Sequence, residues 1–182
     1  MDNTSEETMR GWINELLSLF GWDVKNTKQV HQERTLSKEQ RELLGEIGSH
    51  NIRPDYTLVN GSVKLAFVDA KDLDVDIHTN KSAAFQIRSY GWSIGAKFSI
   101  LTNFREFAIY DCTARPNIED PASFARTFYF TYDEYEDNYD TIRRFLDRDC
   151  VVTGDFPQAN VKVESLDEAF ANMLCDFRIL LA

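Results

Sequence analysis

The strongest constraint on this chain is the stretch from Arg53 to Tyr90, where two short apolar runs flank Asn60-Gly61-Ser62. The first is Tyr56-Thr57-Leu58-Val59 and the second runs from Val63 to Ala70, a pattern that predicts a β-hairpin. An acid stands at each outer end: Asp55 before the first run, and Asp69, followed by Ala70 and Lys71, at the close of the second. Residues two apart in a strand share a face, so Asp69 and Lys71 point the same way. Whether Asp55 joins them depends on the turn. A two-residue Asn60-Gly61 turn pairs Asp55 with Ala66 and sends it to the opposite face. A three-residue loop, Asn60 to Ser62, pairs Asp55 with Phe67 and sets both acids diagonally on one face, roughly 7–8 Å apart. It also gathers Tyr56, Leu58, Ala66, Val68 and Ala70 on the other face as a core-facing set. The three-residue loop, with Gly61 in the left-handed position, is the expectation.

Two carboxylates converging with an ammonium suit metal-assisted hydrolysis of a phosphodiester. Mg²⁺ keeps several waters and takes one or two protein carboxylates. It polarises the phosphate and lowers the pKa of a bound water. Lys71 then positions or deprotonates that water, or balances charge building on the phosphate. Each piece alone has a plainer reading, because Asp-x-Lys at a strand end is commonly a solvated edge and Pro-Asp is ordinary turn chemistry. Downstream, Asn80 or Ser82 caps a helix to about Ile94, on which Gln86 and Tyr90 share a face. Beside the hairpin acids, Gln86 is expected to orient Lys71 or a bound water, and Tyr90 to touch the phosphodiester backbone or buttress Gln86.

In combination, Pro54-Asp55, the hairpin and Asp69-Ala70-Lys71 resemble the PD-(D/E)xK nuclease signature, and Gln86-x-x-x-Tyr90 resembles the QxxxY motif of its RecB-like branch. Gly91-Trp92-Ser93 and Ile100-Leu101-Thr102-Asn103-Phe104, running on to Ile109-Tyr110-Asp111, are similar to the N-terminal nuclease region of type IIG restriction-modification enzymes. The resemblance covers roughly residues 5 to 150. It implies an α/β fold with a restriction-endonuclease-like core, a mixed β-sheet flanked by helices. It also implies Mg²⁺-dependent cleavage of double-stranded DNA, with Mn²⁺ as a substitute. Asp55, Asp69 and the Ala70 carbonyl would hold the metal, Lys71 would be the catalytic lysine, and Gln86 and Tyr90 would support them. A first-helix glutamate can assist such a site, which makes Glu7 and Glu15 candidates. Residues 1–160 would form the endonuclease domain and residues 161–182 the start of a helical connector. DNA would be delivered by a methyltransferase and target-recognition region missing from this chain. Two alternatives remain: the nuclease domain of a type I restriction subunit, and a non-catalytic acidic domain of the same fold that binds a protein.

A length of 182 residues fits one domain, and 43% hydrophobic with 13% aromatic residues argues for a packed core over disorder. No run of about eighteen apolar residues is present, and the acidic start lacks a signal-peptide layout. Cys112, Cys150 and Cys175 are odd in number and widely spaced, which fits reduced thiols in a cytoplasmic protein. The net charge of −10 opposes sequence-independent DNA affinity, which comes from neutralising phosphates. A local basic rim of Arg53, Lys64, Lys71, Lys81, Arg88 and Lys97 is expected to offset it in part.

Apolar spacing predicts a first helix from Ser5 to Phe20 ended by Gly21, with Trp22-Asp23-Val24 opening a strand or its approach. Residues 25–52 read as an irregular connection with a short helix near Glu39 to Leu44. Residues 72–80 read as a solvated acidic loop. Phe98 to Thr102 and Phe107 to Tyr110 form a second hairpin, and the intervening helix makes part of the sheet parallel. Phe124 to Tyr132 is expected to be an edge strand, and Tyr132 to Asp149 a helix with an exposed acidic face. Val151 to Gly154 reads as a short strand or loop, and Ser165 to Leu181 as an amphipathic helix.

Overall fold

The computed structural model describes residues 6–32, 37–46 and 53–157. Its elements run α1 (Glu6–Leu19), β1 (Val30–Gln32), α2 (Lys38–Glu46), β2 (Tyr56–Asn60), β3 (Val63–Ala70), α3 (Lys81–Ser93), β4 (Phe98–Thr102), β5 (Glu106–Asp111), β6 (Arg126–Thr131), a 3₁₀ turn (Tyr132–Glu134), α4 (Tyr139–Leu146) and α5 (Arg148–Thr153). The strands form one six-stranded sheet in sequential order, β1 to β6. All pairs are antiparallel except β3–β4, which is parallel because helix α3 carries the chain back across the sheet between them. This is the mixed α/β architecture expected of the sequence.

Strand alternation divides the core in two. On one face Tyr56, Leu58, Ala66, Val68, Ile100 and Ile109 pack with Ile13 and Leu17 of α1 and with Phe145 and Leu146 of α4. On the other, Phe67, Leu101, Ala108 and Tyr110 pack with Ala84, Ile87 and Tyr90 of α3 and Leu44 of α2. The active-site candidates Asp69 and Lys71 share the parity of Phe67 and therefore belong to the α3 face.

The hairpin differs from expectation at its turn. Asn60 pairs with Val63 and Val59 with Lys64, so the turn is the two-residue Gly61-Ser62. Gly61 does adopt a left-handed φ of +63°. Beyond it the register shifts, and Leu58 pairs with Ala66, leaving Leu65 as an extra residue in β3. An odd number of residues separates the two acids. A three-residue loop would absorb it, but the chain instead uses a two-residue turn plus one bulged residue.

Three further elements correct the sequence reading. Residues 22–24 form no strand; Trp22 is buried and its indole N–H donates to the Leu146 carbonyl at 2.7 Å. The first strand comes later, at Val30–Gln32, pairing with β2. Val151 to Thr153 lie in α5, because Asp147 caps its start through the N–H groups of Asp149 and Cys150 and Gly154 ends it in a left-handed conformation. The edge position of β6 agrees with expectation, and Asp133, Glu134, Glu136, Asp137 and Asp140 are solvated as expected. The single helix expected from Tyr132 to Asp149 is instead the 3₁₀ turn, α4 and the start of α5. The segment Ser165 to Leu181 lies outside the described residues, and no described helix is long and apolar enough to cross a membrane.

Candidate active site

Asp55 immediately precedes β2. Extending the Tyr56↔Val68 pairing by one step places it opposite Asp69 on the α3 face. The two acids thus face each other directly, closer than the diagonal relationship expected. Asp55 Oδ2 also accepts the Ala70 N–H at 2.8 Å, tying the start of β2 to the end of β3. That bond was not legible from spacing alone.

Asp69 is buried, its side chain only 3% exposed, and Lys71 Nζ lies 2.6 Å from its Oδ2. This contact is an ion pair off the hydrogen-bonding direction, and Asp69 Oδ2 has no hydrogen-bond donor of its own. The same ammonium donates to Gln86 Oε1 at 3.2 Å. Gln86 Nε2 in turn donates to the Tyr90 hydroxyl at 2.9 Å. The Arg53 main-chain N–H lies near the Tyr90 oxygen. Asp55, Asp69, Lys71, Gln86 and Tyr90 are therefore brought into one connected group, with Gln86 oriented by Tyr90 and orienting Lys71.

Burial first, and the Asp69 charge second, push the Asp55 carboxyl up to about 6, against the pull of the Ala70 N–H and the Lys71 ammonium. Burial likewise raises the Tyr90 hydroxyl to about 12, so it is neutral at physiological pH. Two close carboxylates share a single ammonium, so with both ionised the group carries one more negative than positive charge. That donor set fits a hard divalent cation completed by water. Among the described residues no group of three or more His, Cys, Asp or Glu side chains forms a metal-holding cluster. Glu15 is exposed and lines a shallow cleft with Asn14, Ser18 and Leu19 of its own helix. Glu7 falls in α1, but its side chain lies outside the described residues.

Two supports escaped the sequence reading. Asn103, 1% exposed, donates through Nδ2 to Val75 O (2.7 Å) and Glu106 Oε2 (3.0 Å), and accepts Glu106 N–H at 2.7 Å. Glu106 also accepts the Ile77 N–H and the Tyr129 hydroxyl. Together with Lys71 N–H to Thr102 O at 2.8 Å, these bonds fasten residues 72–79, between Lys71 and α3, onto the β4–β5 turn. The acidic loop is thus solvated at its aspartates but anchored at its main chain. The three-residue spacing Asn103 to Glu106 is Asx-type turn chemistry and was the available signal. The second support is Gly91, next to Tyr90: a β-carbon there would lie 2.3 Å from Cys112 Sγ and 2.6 Å from Ser99 Oγ. Only glycine lets α3 come this close to β4 and β5.

Residues 39–118 match the family described as "Type I restriction enzyme R protein N terminus (HSDR_N)". Over 179 residues, 94% of the chain, the sequence is 32% identical to the type II restriction enzyme and methyltransferase RM.Eco57I of Escherichia coli. The chain is homologous to restriction enzymes. It spans 18% of the length of that relative. A solved structure, that of the type IIG restriction endonuclease BpuSI, aligns with 79% of this chain and 16% of its own, at a TM-score of 0.44 and 13% identity. The chain is thus similar to one segment of a restriction enzyme and, over residues 39–118, to the N-terminal region of a type I restriction subunit.

Proposed function

We propose that this domain hydrolyses DNA phosphodiester bonds as the cleavage part of a restriction-modification enzyme. The observation that carries the reading is the convergence of Asp55, Asp69 and Lys71, with Lys71 held between Asp69 and Gln86. Asp55, Asp69 and the Ala70 carbonyl would hold a divalent cation, Mg²⁺ or Mn²⁺, which when bound supplies Lewis-acid polarisation of the phosphate and activation of water. Lys71 delivers a fixed positive charge to the phosphate or relays a proton at Nζ. Gln86 holds that ammonium through Oε1 while Tyr90 fixes the amide orientation. Residues 1–160 serve as the nuclease unit and 161–182 as the start of a connector to a methyltransferase and target-recognition region that brings the duplex. A type II parent is preferred over a type I parent because the RM.Eco57I similarity runs through 94% of the chain, whereas the type I match covers residues 39–118.

The test is Mn²⁺ calorimetry on the wild-type chain and on Asp69→Asn, followed by plasmid cleavage in Mg²⁺ by the parent enzyme carrying the same change. Metal binding that disappears in Asp69→Asn, with cleavage lost alongside it, supports the reading. Undiminished binding or cleavage in Asp69→Asn rejects this site.

A further inference from the structure

The basic residues expected to rim the site meet different fates. Arg88 is 1% exposed and paired with Asp120 at 2.8 Å, so it cannot reach a ligand. Lys64 and Lys97 line a groove with Val63, Leu65 and Phe98 near the hairpin tip. At about 3.3 Å per strand residue, Lys64 sits roughly 17 Å along β3 from Asp69. Lys71 is engaged by Asp69 and Gln86 within the site. Lys81 is exposed on the first turn of α3, beyond the anchored loop.

Arg53 is placed differently. Its main-chain N–H lies near the Tyr90 hydroxyl that also holds Gln86, and it is followed by buried Pro54 and then by Asp55. The main chain of Arg53 therefore lies between the Gln86–Tyr90 pair and the first carboxylate, while its side chain is exposed. A phosphodiester approaching Asp55 and Asp69 meets two acids on a chain of net charge −10, and needs a compensating cation at the mouth of the site. An arginine suits this better than a lysine, since its guanidinium presents a fork of donors to phosphate oxygens and keeps its charge at any working pH.

We infer that Arg53 grips a DNA backbone phosphate beside the Asp55–Asp69 pair. The inference rests on the nuclease reading. It makes Arg53 a binding residue on the segment that leads directly into Asp55.

The experiment uses the 182-residue chain and a fluorescein-labelled duplex of random sequence, followed by anisotropy in metal-free buffer from 50 to 200 mM KCl. Arg53→Ala is expected to weaken binding about tenfold at 50 mM salt and to make the slope of log K against log salt shallower by about 0.9, the signature of one lost phosphate contact. Arg53→Lys should keep the slope and recover part of the affinity. Lys97→Ala should leave both unchanged. An unaltered slope in Arg53→Ala overturns the inference, and so does a wild-type chain with no salt-dependent affinity. Mn²⁺ calorimetry on Arg53→Ala separates the two proposals. Metal binding retained with the slope reduced supports both, and a reduced slope without metal binding in any variant supports Arg53 while rejecting the metal site.

Discussion

The ammonium of Lys71 lies 2.6 Å from Asp69 Oδ2, so this lysine neutralises a buried acid rather than standing in solvent. A solvated strand-end lysine would contribute little to the fold, and the sequence alone favours that view. The pairing changes the expectation. Removing one member of a buried pair costs about 3–5 kcal/mol, which the 24% exposure of Lys71 reduces to roughly 1–3 kcal/mol. Urea unfolding of the metal-free Lys71→Ala chain should show that loss. The Asp69→Asn/Lys71→Ala double variant should regain most of it, because the buried Asp69 charge is removed together with its partner. Purely additive losses would mean that the two side chains do not compensate each other.

The raised Asp55 carboxyl predicts a pH dependence with a definite sign. Below the ordinary carboxylate value, 3.8, Asp55 is protonated in the folded and unfolded chains alike, and nothing is lost. Between there and about 6 the folded chain retains a proton that the unfolded chain has released, so stability falls as pH rises through this window. Above it the penalty is complete. Asp55→Asn, which can still accept the Ala70 N–H, should therefore raise the melting temperature of the metal-free chain at pH 7.5 by the equivalent of about 1–3 kcal/mol. At pH 4 the two proteins should melt together. An Asn variant less stable at pH 7.5 would contradict the proximity of the two acids.

Gly91→Ala tests how closely α3 is seated. The added carbon meets Cys112 Sγ at 2.3 Å and Cys112 Cβ at 2.7 Å, and overpacking of this kind costs about 1–3 kcal/mol. Cys112→Ala in the same chain should recover only part of the loss, since Cys112 Cβ remains in place. Full stability in Gly91→Ala, measured by denaturant midpoint, would show that the helix can ride outward freely.

Asn103→Ala removes two donors and one acceptor from a buried site and leaves Val75 O and Glu106 N–H without partners, at a cost of roughly 2–3 kcal/mol. The more telling measurement is native-state hydrogen exchange. Protection should fall at Ile77 and Glu106 well before it falls in β4 or α3. Uniform loss across the chain would deny the network its local role in fastening residues 72–79.

Much of this architecture was legible because it obeys short-range rules. The period-two face of Tyr56, Leu58, Ala66 and Val68, the Asn80-capped helix and the parallel crossover all follow from spacing and capping. What escaped is what depends on distant partners. Val30-His31-Gln32 is a strand only because β2 offers it a backbone to pair with. Val151-Val152 has β-favouring residues, yet Asp147 and Gly154 cap it into a helical turn. Arg88 looks like any surface base until Asp120, far along the chain, folds over it. At the site, the order Gln86, Lys71, Asp69 follows from the motif spacing, whereas the Ala70 N–H to Asp55 bond depends on how the two strands pair. The Asn103–Glu106 turn carried a local signal in its three-residue spacing.

The extra residue at Leu65 has a wider consequence. What must be preserved between the two acids is a parity, not a length. Turn residues and bulged residues together have to sum to an odd number, and any combination that does so returns both carboxylates to the same side. A longer turn without a bulge, or a shorter one with it, would build the same pair of opposed acids. A single insertion that is not absorbed in this way would leave every apolar residue plausible and the chemistry facing the wrong layer. Hairpins of this kind are better compared by counting in twos than by fixed spacing.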